Sequence, residues 1–357
     1  MNDSNYSKPK KISKLKKSKK TKKEFKFDIG LAILRPILSF LVIITHCYNK
    51  NYLQGFWKSL YLNVERARFH IQIFIIISFY FTYNTLVSND LTKKLKRFER
   101  IFIPYFLWPI IIFFLNKYLK KLFRISEIIT FNMLKGQFIS GYGFLVPLYF
   151  QLCLGILTII HIIIISLFRK KCVFILIILS LISFNIQYNG MNLLYFQKSN
   201  VFKGRSVELF PFSVIGFIIA YSGIINYFKK YRFKTIIVCI YLCYLFINYD
   251  IFIRIKGFEL CGIKMFIFSI CIFIVFALFP SEKIKNKIII KIIKQITNHT
   301  AGIYFIHVPV YNYTRFHIKA LGQQTIKGCM MNYIICYCIS LIGNFIFGKT
   351  ILRHLFI

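Results

Sequence analysis

The sequence lacks the cysteine spacing that marks a zinc site or a disulfide framework. It has ten cysteines, but none forms a CxxC pair and most lie inside apolar stretches. Buried cysteines of this kind behave as small hydrophobic residues, so we expect no metal site. A thioester on Cys47, directly after His46, is the alternative for that one residue. The cysteines in apolar stretches are Cys153, Cys239, Cys243, Cys271, Cys336 and Cys338.

Acidic residues are also scarce. There are 11 Asp and Glu against 49 Lys and Arg, so the net charge is +38. Such an excess elsewhere would indicate a nucleic-acid partner, but here the basic residues form short blocks between long apolar runs, which is the positive-inside pattern of membrane proteins. Anionic membrane lipids are therefore an expected partner, and nucleic acid is not.

What the sequence has instead is apolar length. Hydrophobic residues make up 57% of the chain and aromatic residues 18%, and no soluble domain of useful size remains between the apolar runs. We predict an all-α polytopic membrane protein with about ten transmembrane helices. The predicted spans are 29–48, 69–88, 101–116, 143–168, 172–187, 208–228, 235–253, 263–280, 301–314 and 330–348.

The ninth span is short and could instead be re-entrant. Residues 1–28 carry eleven lysines and are predicted to form a disordered basic tail on a negatively charged leaflet, ahead of a transmembrane domain over 29–350. Compact basic loops follow alternate spans, as in KKLKRFER before the third. This bias predicts that both termini are cytoplasmic and that the number of spans is even.

The first predicted span carries two residues that are costly inside hydrocarbon, Arg35 and His46. They are eleven residues apart, so in a helix they lie on one face and are separated by roughly 16 Å along the axis. With the N-terminus inside, Arg35 faces the cytoplasmic side and His46 the outside. An arginine can hold donor phosphates and a histidine can take a proton from a hydroxyl. Snorkelling of Arg35 and an interfacial role for His46 are the alternatives.

At these residues the sequence resembles acyltransferase family 3, membrane enzymes that O-acylate surface polysaccharides, lipopolysaccharide and related glycans. The first span of the family carries an arginine, ten intervening residues and a histidine, as RPILSFLVIITH does here from Arg35 to His46. The resemblance implies that His46 is catalytic and that Arg35 is essential.

The resemblance continues into the second and third spans. FIIISFYF is similar to the Phe-x-x-Ser-Gly-Phe motif of the family, with Ser78 in place and Phe79 where the family has glycine. The family's RxxR pair matches Arg97 and Arg100, which the resemblance and their charge assign to the phosphates of coenzyme A. Positive-inside anchoring is the alternative for this pair.

Two later segments complete the resemblance, which covers about residues 28–350. FPFSVIGFIIAYSG is similar to a Pro-Phe-x-x-x-Gly helix, and the fourth span lacks the family's tryptophan. AGIYFIHVPVYN resembles an Ile-Tyr-x-x-His-x-Pro motif and supplies Tyr304, His307 and Pro309. Together with Ser78, Tyr304 and His307 are predicted substrate-binding residues. A structural hydrogen bond to a neighbouring helix is the alternative for His307.

The resemblance implies transfer of an acyl group, acetyl or alternatively succinyl, from cytoplasmic acyl-CoA to a hydroxyl of an extracytoplasmic glycan or another hydroxylated acceptor. Acetyl-CoA or another acyl-CoA is the expected donor. The expected location is the plasma (inner) membrane of a bacterium or an endomembrane of a eukaryote. A polytopic transporter of a glycan or lipid-linked intermediate, or a receptor or structural protein, are the competing classes.

Three further polar residues have no matching motif. We expect His161, deep in the fourth span, to be structural. Glu208 and Asp250 lie near external span ends, where they could orient His46 or bind acceptor hydroxyls. Ordinary interfacial solvation explains both carboxylates equally well.

Overall fold

All regular structure in the described residues is helical. The computed structural model describes residues 28–47, 69–123, 130–140, 145, 148–188, 201–248, 263–317 and 326–356, and none of these residues is in a strand. The all-α prediction is thus confirmed for this part of the chain. The predicted basic tail lies outside the described residues except for Asp28.

Thirteen α-helices form the described part of the chain. They are α1 Ile29–Cys47, α2 Phe69–Val87, α3 Leu91–Phe123, α4 Phe131–Ser140, α5 Leu148–Phe168, α6 Cys172–Tyr188, α7 Val201–Ser222, α8 Ile224–Lys230, α9 Arg232–Asn248, α10 Ile263–Ala277, α11 Lys287–Asn298, α12 Thr300–His317 and α13 Ile326–Phe347. Three short 3-10 segments accompany them: Arg169–Lys171, Ser281–Lys283 and Ile351–Leu355.

Each predicted span overlaps at least one of these helices, and the sixth, 208–228, overlaps both α7 and α8, which are separated at Gly223. The ninth falls on α12, which is a continuous helix of 18 residues. Six helical stretches in the described residues are long and apolar enough to cross a membrane. One of them, Leu148–Ile186, contains the turn Arg169–Lys171 that separates α5 from α6. The count of ten spans and the cytoplasmic location of both termini stay predictions.

Helix α1 occupies a central position in the bundle. It packs against α2, α10, α11, α12 and α13, and Leu31, Leu34 and Leu38 on it are fully buried. The Asp28 carboxylate begins the helix by accepting a hydrogen bond from the Leu31 N–H at 3.1 Å, as an N-cap residue does. Burial raises the pKa of this carboxyl, and the hydrogen bond from Leu31 partly opposes that shift.

Helices α2 and α7 make the most extensive helix pair in the fold. Gly216, the glycine of the Pro-Phe-x-x-x-Gly segment, lies against the backbone carbonyl of Ile76 on α2, so a Cβ atom at this position would clash with main chain. Phe212 and Phe217, on either side of the glycine, are fully buried. The glycine therefore sets how closely the two backbones approach.

The outer surface of the bundle is apolar. Large hydrophobic side chains are exposed on α6, α9 and α13, which is the surface expected of helices that face lipid. Examples are Phe174, Leu181, Ile237, Val238, Ile240 and Phe345.

Helix α11 differs from the other helices because it is short and strongly amphipathic. Lys287, Lys291 and Lys294 recur at intervals of four and three residues, while Ile288 and Ile292 are exposed beside them. This is the pattern of a helix that lies on a membrane surface. The Thr297 hydroxyl, at the end of α11, lies 2.7 Å from the Ala32 carbonyl of α1 and 2.7 Å from the Ile293 carbonyl of its own helix, and its one hydrogen is shared between these two acceptors.

The close approach at Gly216 predicts a specific sensitivity. Gly216→Ala should lower the free energy of unfolding by about 1–3 kcal/mol, because an added methyl group meets the Ile76 main chain and overpacks the helix pair. Gly136→Ala on α4 is the matched control, since a Cβ atom there meets nothing within 4 Å. Chemical unfolding in detergent micelles measures both. Equal effects of the two substitutions would contradict the proposed role of the α2–α7 contact.

Candidate active site

His46 of α1 and His307 of α12 lie side by side in the structure. Their ring centroids are 5.2 Å apart and their planes are inclined by 46°, because α1 packs along α12. His46 is exposed, whereas His307 is fully buried. The packing thus brings together two predicted site residues that are 261 positions apart in the sequence.

The orientation of the His307 ring is fixed by its own helix. Its Nδ1 lies 2.6 Å from the carbonyl oxygen of Tyr304, and a carbonyl can only accept, so in the neutral ring Nδ1 carries the hydrogen. Its Nε2 is then the bare, accepting nitrogen. That atom is buried and has no hydrogen-bond partner within the part of the chain that the structure describes.

His70 is a third histidine in the same place, and the sequence analysis missed it. It lies at the start of α2, is buried, and is close enough to interact electrostatically with His307. No motif marks it, but His70, Phe74 and Ser78 follow one another at intervals of four residues on one face of α2. Since Ser78 was a predicted site residue, this spacing could have identified His70 as a further site residue on the same helix face.

An aromatic wall continues from the histidines along this face of α2. Phe74 and Phe150 lie 6.2 Å apart, and Tyr304 lies 5.5 Å from Phe150 and 6.3 Å from Phe74, measured between ring centroids. Tyr304, predicted as a substrate-binding residue, is thus a buried wall residue one helical turn from His307. The three rings lie between the histidines and Ser78, the next polar residue on this face of α2.

Arg97 of α3 lies beside Ser78, at the other end of this face of α2. Only 8% of the residue is exposed. Its Nε donates to the Thr158 hydroxyl of α5 at 3.1 Å, and its NH2 group donates to the Ser78 hydroxyl at 3.4 Å. No carboxylate pairs with it among the described residues. Arg97 is therefore a buried cation held by neutral oxygens.

Phe79 fills the space beside Arg97 where the family motif has glycine. The Arg97 guanidinium lies over its ring at 5.2 Å from the centroid, a cation–π contact, and the His161 ring lies 4.4 Å from the same centroid. His161 is fully buried, with Nδ1 bonded to the Leu157 carbonyl of its own helix at 2.8 Å. These contacts agree with the structural role predicted for His161.

Arg35 and Arg100 have different surroundings from Arg97. Arg35 is partly exposed, and no hydrogen bond or ion pair to it is present in the described residues. Arg100 is exposed on α3, close enough to Arg97 for the two charges to interact. The structure therefore groups Arg97 with Arg100, while no contact within the described residues joins Arg35 to either.

Glu208 has a local partner rather than a place beside His46. Its carboxylate accepts from Arg205, one turn earlier on α7, at 2.8 Å. Asp250 lies outside the described residues. Among the residues that the structure does describe, no group of three or more His, Cys, Asp and Glu side chains is arranged to hold a metal ion.

A family model of the acyltransferase domain, that of acyltransferase family 3, matches residues 28–349. The chain belongs to acyltransferase family 3. The resemblance seen in the sequence is thereby confirmed, and the protein is a multi-pass membrane acyltransferase that transfers groups other than aminoacyl groups. No curated protein and no solved structure matches the chain significantly.

The matched region contains the polar groups at both ends of the α2 face that carries His70, Phe74 and Ser78. The histidine end consists of His46, His70 and His307, and the arginine end consists of Arg97, Ser78 and Thr158. His70 and Ser78 are eight residues apart on α2, which is about 12 Å along a helix axis. This acyltransferase thus has a buried arginine and a group of histidines at the two ends of one face of α2.

The buried cation at the arginine end predicts the effect of a change at Thr158. Thr158→Val keeps the side-chain shape but leaves the Arg97 Nε–H unpaired, so the free energy of unfolding should fall by about 1.5–3 kcal/mol. Thr235→Val is the matched control. The hydroxyls of Thr158 and Thr235 each donate to the carbonyl four residues earlier, but no charged group donates to the Thr235 hydroxyl in the described residues. It should change stability by less than about 0.5 kcal/mol. Unfolding curves that coincide for the two variants would show that Arg97 does not depend on Thr158.

Proposed function

We propose that this membrane acyltransferase moves an acetyl group from cytoplasmic acyl-CoA to a hydroxyl of an extracytoplasmic glycan, with His46 as the general base. The observation that carries the proposal is the separation of the two polar ends along one face of α2. A nucleophile needs a base where it reacts, and a phosphorylated donor needs cations at some distance from the thioester. The arrangement supplies both.

The arginine end suits the phosphates of the donor. Arg97 is buried without a carboxylate, so its charge is uncompensated. A phosphate that reaches it can accept a charge-assisted hydrogen bond without competition from a carboxylate of the described residues. Arg100 adds an exposed guanidinium close by. Arg35 is the third cation, and its lack of a described partner leaves its fork for the diphosphate or 3′-phosphate.

The aromatic wall suits the arm of the donor. The pantetheine chain is largely apolar, and Phe74, Phe150 and Tyr304 form a surface of that character between the two ends. About 12 Å separates Ser78 from His70 along α2, less than the thickness of the hydrocarbon core. A donor that enters from the cytoplasm could therefore present its thioester near His46 without crossing the whole membrane.

The transfer itself requires one base. His46 takes the proton of the acceptor hydroxyl as its oxygen forms a bond to the thioester carbon. The carbon–sulfur bond then breaks, and the leaving thiolate takes up the proton from His46. The products are the acylated glycan and coenzyme A with a free thiol. The exposure of His46 lets an extracytoplasmic hydroxyl reach it, while the donor remains on the inner side.

The acceptor determines the location that we propose. A hydroxyl on an extracytoplasmic glycan or another hydroxylated molecule requires the plasma (inner) membrane if the source is bacterial, or an endomembrane if it is eukaryotic. Acetyl is the donor group that we propose, and succinyl is the alternative to be tested with the same assay.

His46→Ala should abolish acylation, because no other exposed imidazole adjoins His307 in the described residues. The expected loss is at least about 10²-fold, the usual contribution of a general base. Mass spectrometry of the surface glycan, in a deletion strain that carries the variant at matched expression, measures it. His354→Ala, at the C-terminal 3-10 segment, controls for the loss of a histidine. Normal acylation in the His46 variant would remove it as the base, and transport of the glycan without acylation would indicate a transporter instead.

Arg35→Ala should weaken binding of acetyl-CoA by about 10–100-fold, the equivalent of one or two hydrogen bonds to a charged group. Calorimetric titration of the purified protein with acetyl-CoA gives the dissociation constant. Lys287→Ala on α11 removes a positive charge from a surface helix and should leave the constant unchanged. If Arg35→Ala binds acetyl-CoA as tightly as the parent protein, Arg35 is not part of the donor site.

A further inference from the structure

The His307 ring is constrained at both nitrogens and also lies beside a second histidine ring. One nitrogen, Nδ1, is bonded to the Tyr304 carbonyl of its own helix, and the other, Nε2, is buried without a hydrogen-bond partner in the described residues. A buried polar atom without a partner costs free energy and therefore calls for an explanation, and His307, unlike the similarly buried His161, has a histidine ring beside it. The ring centroid of His46 lies 5.2 Å from that of His307.

We propose that His307 is the positioning residue of His46, and that its Nε2 accepts a hydrogen bond from the His46 ring during acyl transfer. This inference rests on the proposed function, because it takes His46 as the base. It gives His307 a part in proton transfer rather than the substrate contact predicted from the sequence.

The argument follows the hydrogens from one group to the next. The Tyr304 carbonyl is an acceptor, so Nδ1 of a neutral His307 must donate and its Nε2 must accept. An Nε2 that accepts from His46 requires an N–H on the facing nitrogen of that ring. The other nitrogen of a neutral His46 is then bare, which is the form that a general base needs.

The burial of the two rings shows which end of this series of hydrogen bonds is accessible. His307 is fully buried and His46 is exposed, so the carbonyl that fixes the tautomer lies in the interior of the bundle and the base lies at its surface. In this arrangement the nitrogen of His46 that carries no hydrogen takes the proton of the acceptor hydroxyl. A backbone carbonyl here serves the purpose that a carboxylate serves in many catalytic sites, which is to fix a tautomer.

The proton balance is unchanged by the second histidine. His46 gains the hydroxyl proton and becomes an imidazolium as the ester bond forms, and it loses that proton to the thiolate when the carbon–sulfur bond breaks. His307 stays neutral and keeps its Nδ1 hydrogen throughout. Its bare nitrogen stabilises the transient positive charge on His46 through the shared hydrogen bond.

Two substitutions at position 307 separate positioning from packing. In His307→Asn the amide N–H can still donate to the Tyr304 carbonyl, but no atom occupies the position of Nε2. In His307→Gln the longer side chain can place its amide oxygen near that position and accept from His46. His161→Asn is the matched control, because His161 is also fully buried, is bonded at Nδ1 to its own helix, and has an unpartnered Nε2.

The experiment measures initial rates in membrane vesicles, with acetyl-CoA as the donor and glycan from a deletion strain as the acceptor. We expect His307→Asn to lower kcat by about 10–100-fold, as loss of an orienting group does, with the KM for acetyl-CoA unchanged. His307→Gln should recover part of that loss. His161→Asn should keep kcat within about twofold of the parent value, since it holds no reacting group.

Three results would overturn the inference. One is a His307→Asn enzyme with the parent kcat, and another is a loss of kcat that His161→Asn reproduces at equal protein level. A third is a His307→Gln enzyme as slow as His307→Asn. Failure of the proposed function is distinguishable from these, because it would appear as acylation by His46→Ala whatever the outcome at position 307.

Discussion

A polar group inside a membrane-spanning bundle has to find its partner within the protein, because lipid offers none. This chain meets that constraint with few carboxylates. Arg97 bonds to two hydroxyls and lies over an aromatic ring, and His161 and His307 bond to carbonyls of their own helices. Neutral groups therefore hold these three buried side chains, and the charge of Arg97 is left without a counter-ion in the described residues.

The same constraint explains why the two ends of the site differ in chemistry. A guanidinium keeps its charge in every surrounding, so it suits a permanent anion such as phosphate. An imidazole can give up its charge, so the buried His307 can lie in the apolar interior in its neutral form. The face of α2 that carries His70, Phe74 and Ser78 keeps the two chemistries apart.

Much of the fold followed from the sequence, since long apolar runs leave few alternatives to helices, and the family resemblance was confirmed. The stripe from Arg35 to His46 is a property of one helix, so its periodicity predicted it. The contact of His46 with His307 depends on how α1 packs on α12, which no periodicity specifies. The sequence likewise did not predict that Arg97 is buried against Phe79, because a basic block such as the one around Arg97 is typical of an exposed loop. His70 was missed since it has no motif.

The contact between Thr297 and the Ala32 carbonyl joins a surface helix to the helix that carries Arg35, one turn further along. The lysines and exposed isoleucines of α11 indicate that it lies at the boundary between headgroups and hydrocarbon. In that position it determines the depth in the bilayer at which α1 begins. The depth of Arg35 is then referenced to the membrane surface itself. A thicker or thinner bilayer would leave the distance from that surface to Arg35 unchanged, and the difference would have to be absorbed at the far end of the helix, where His46 lies.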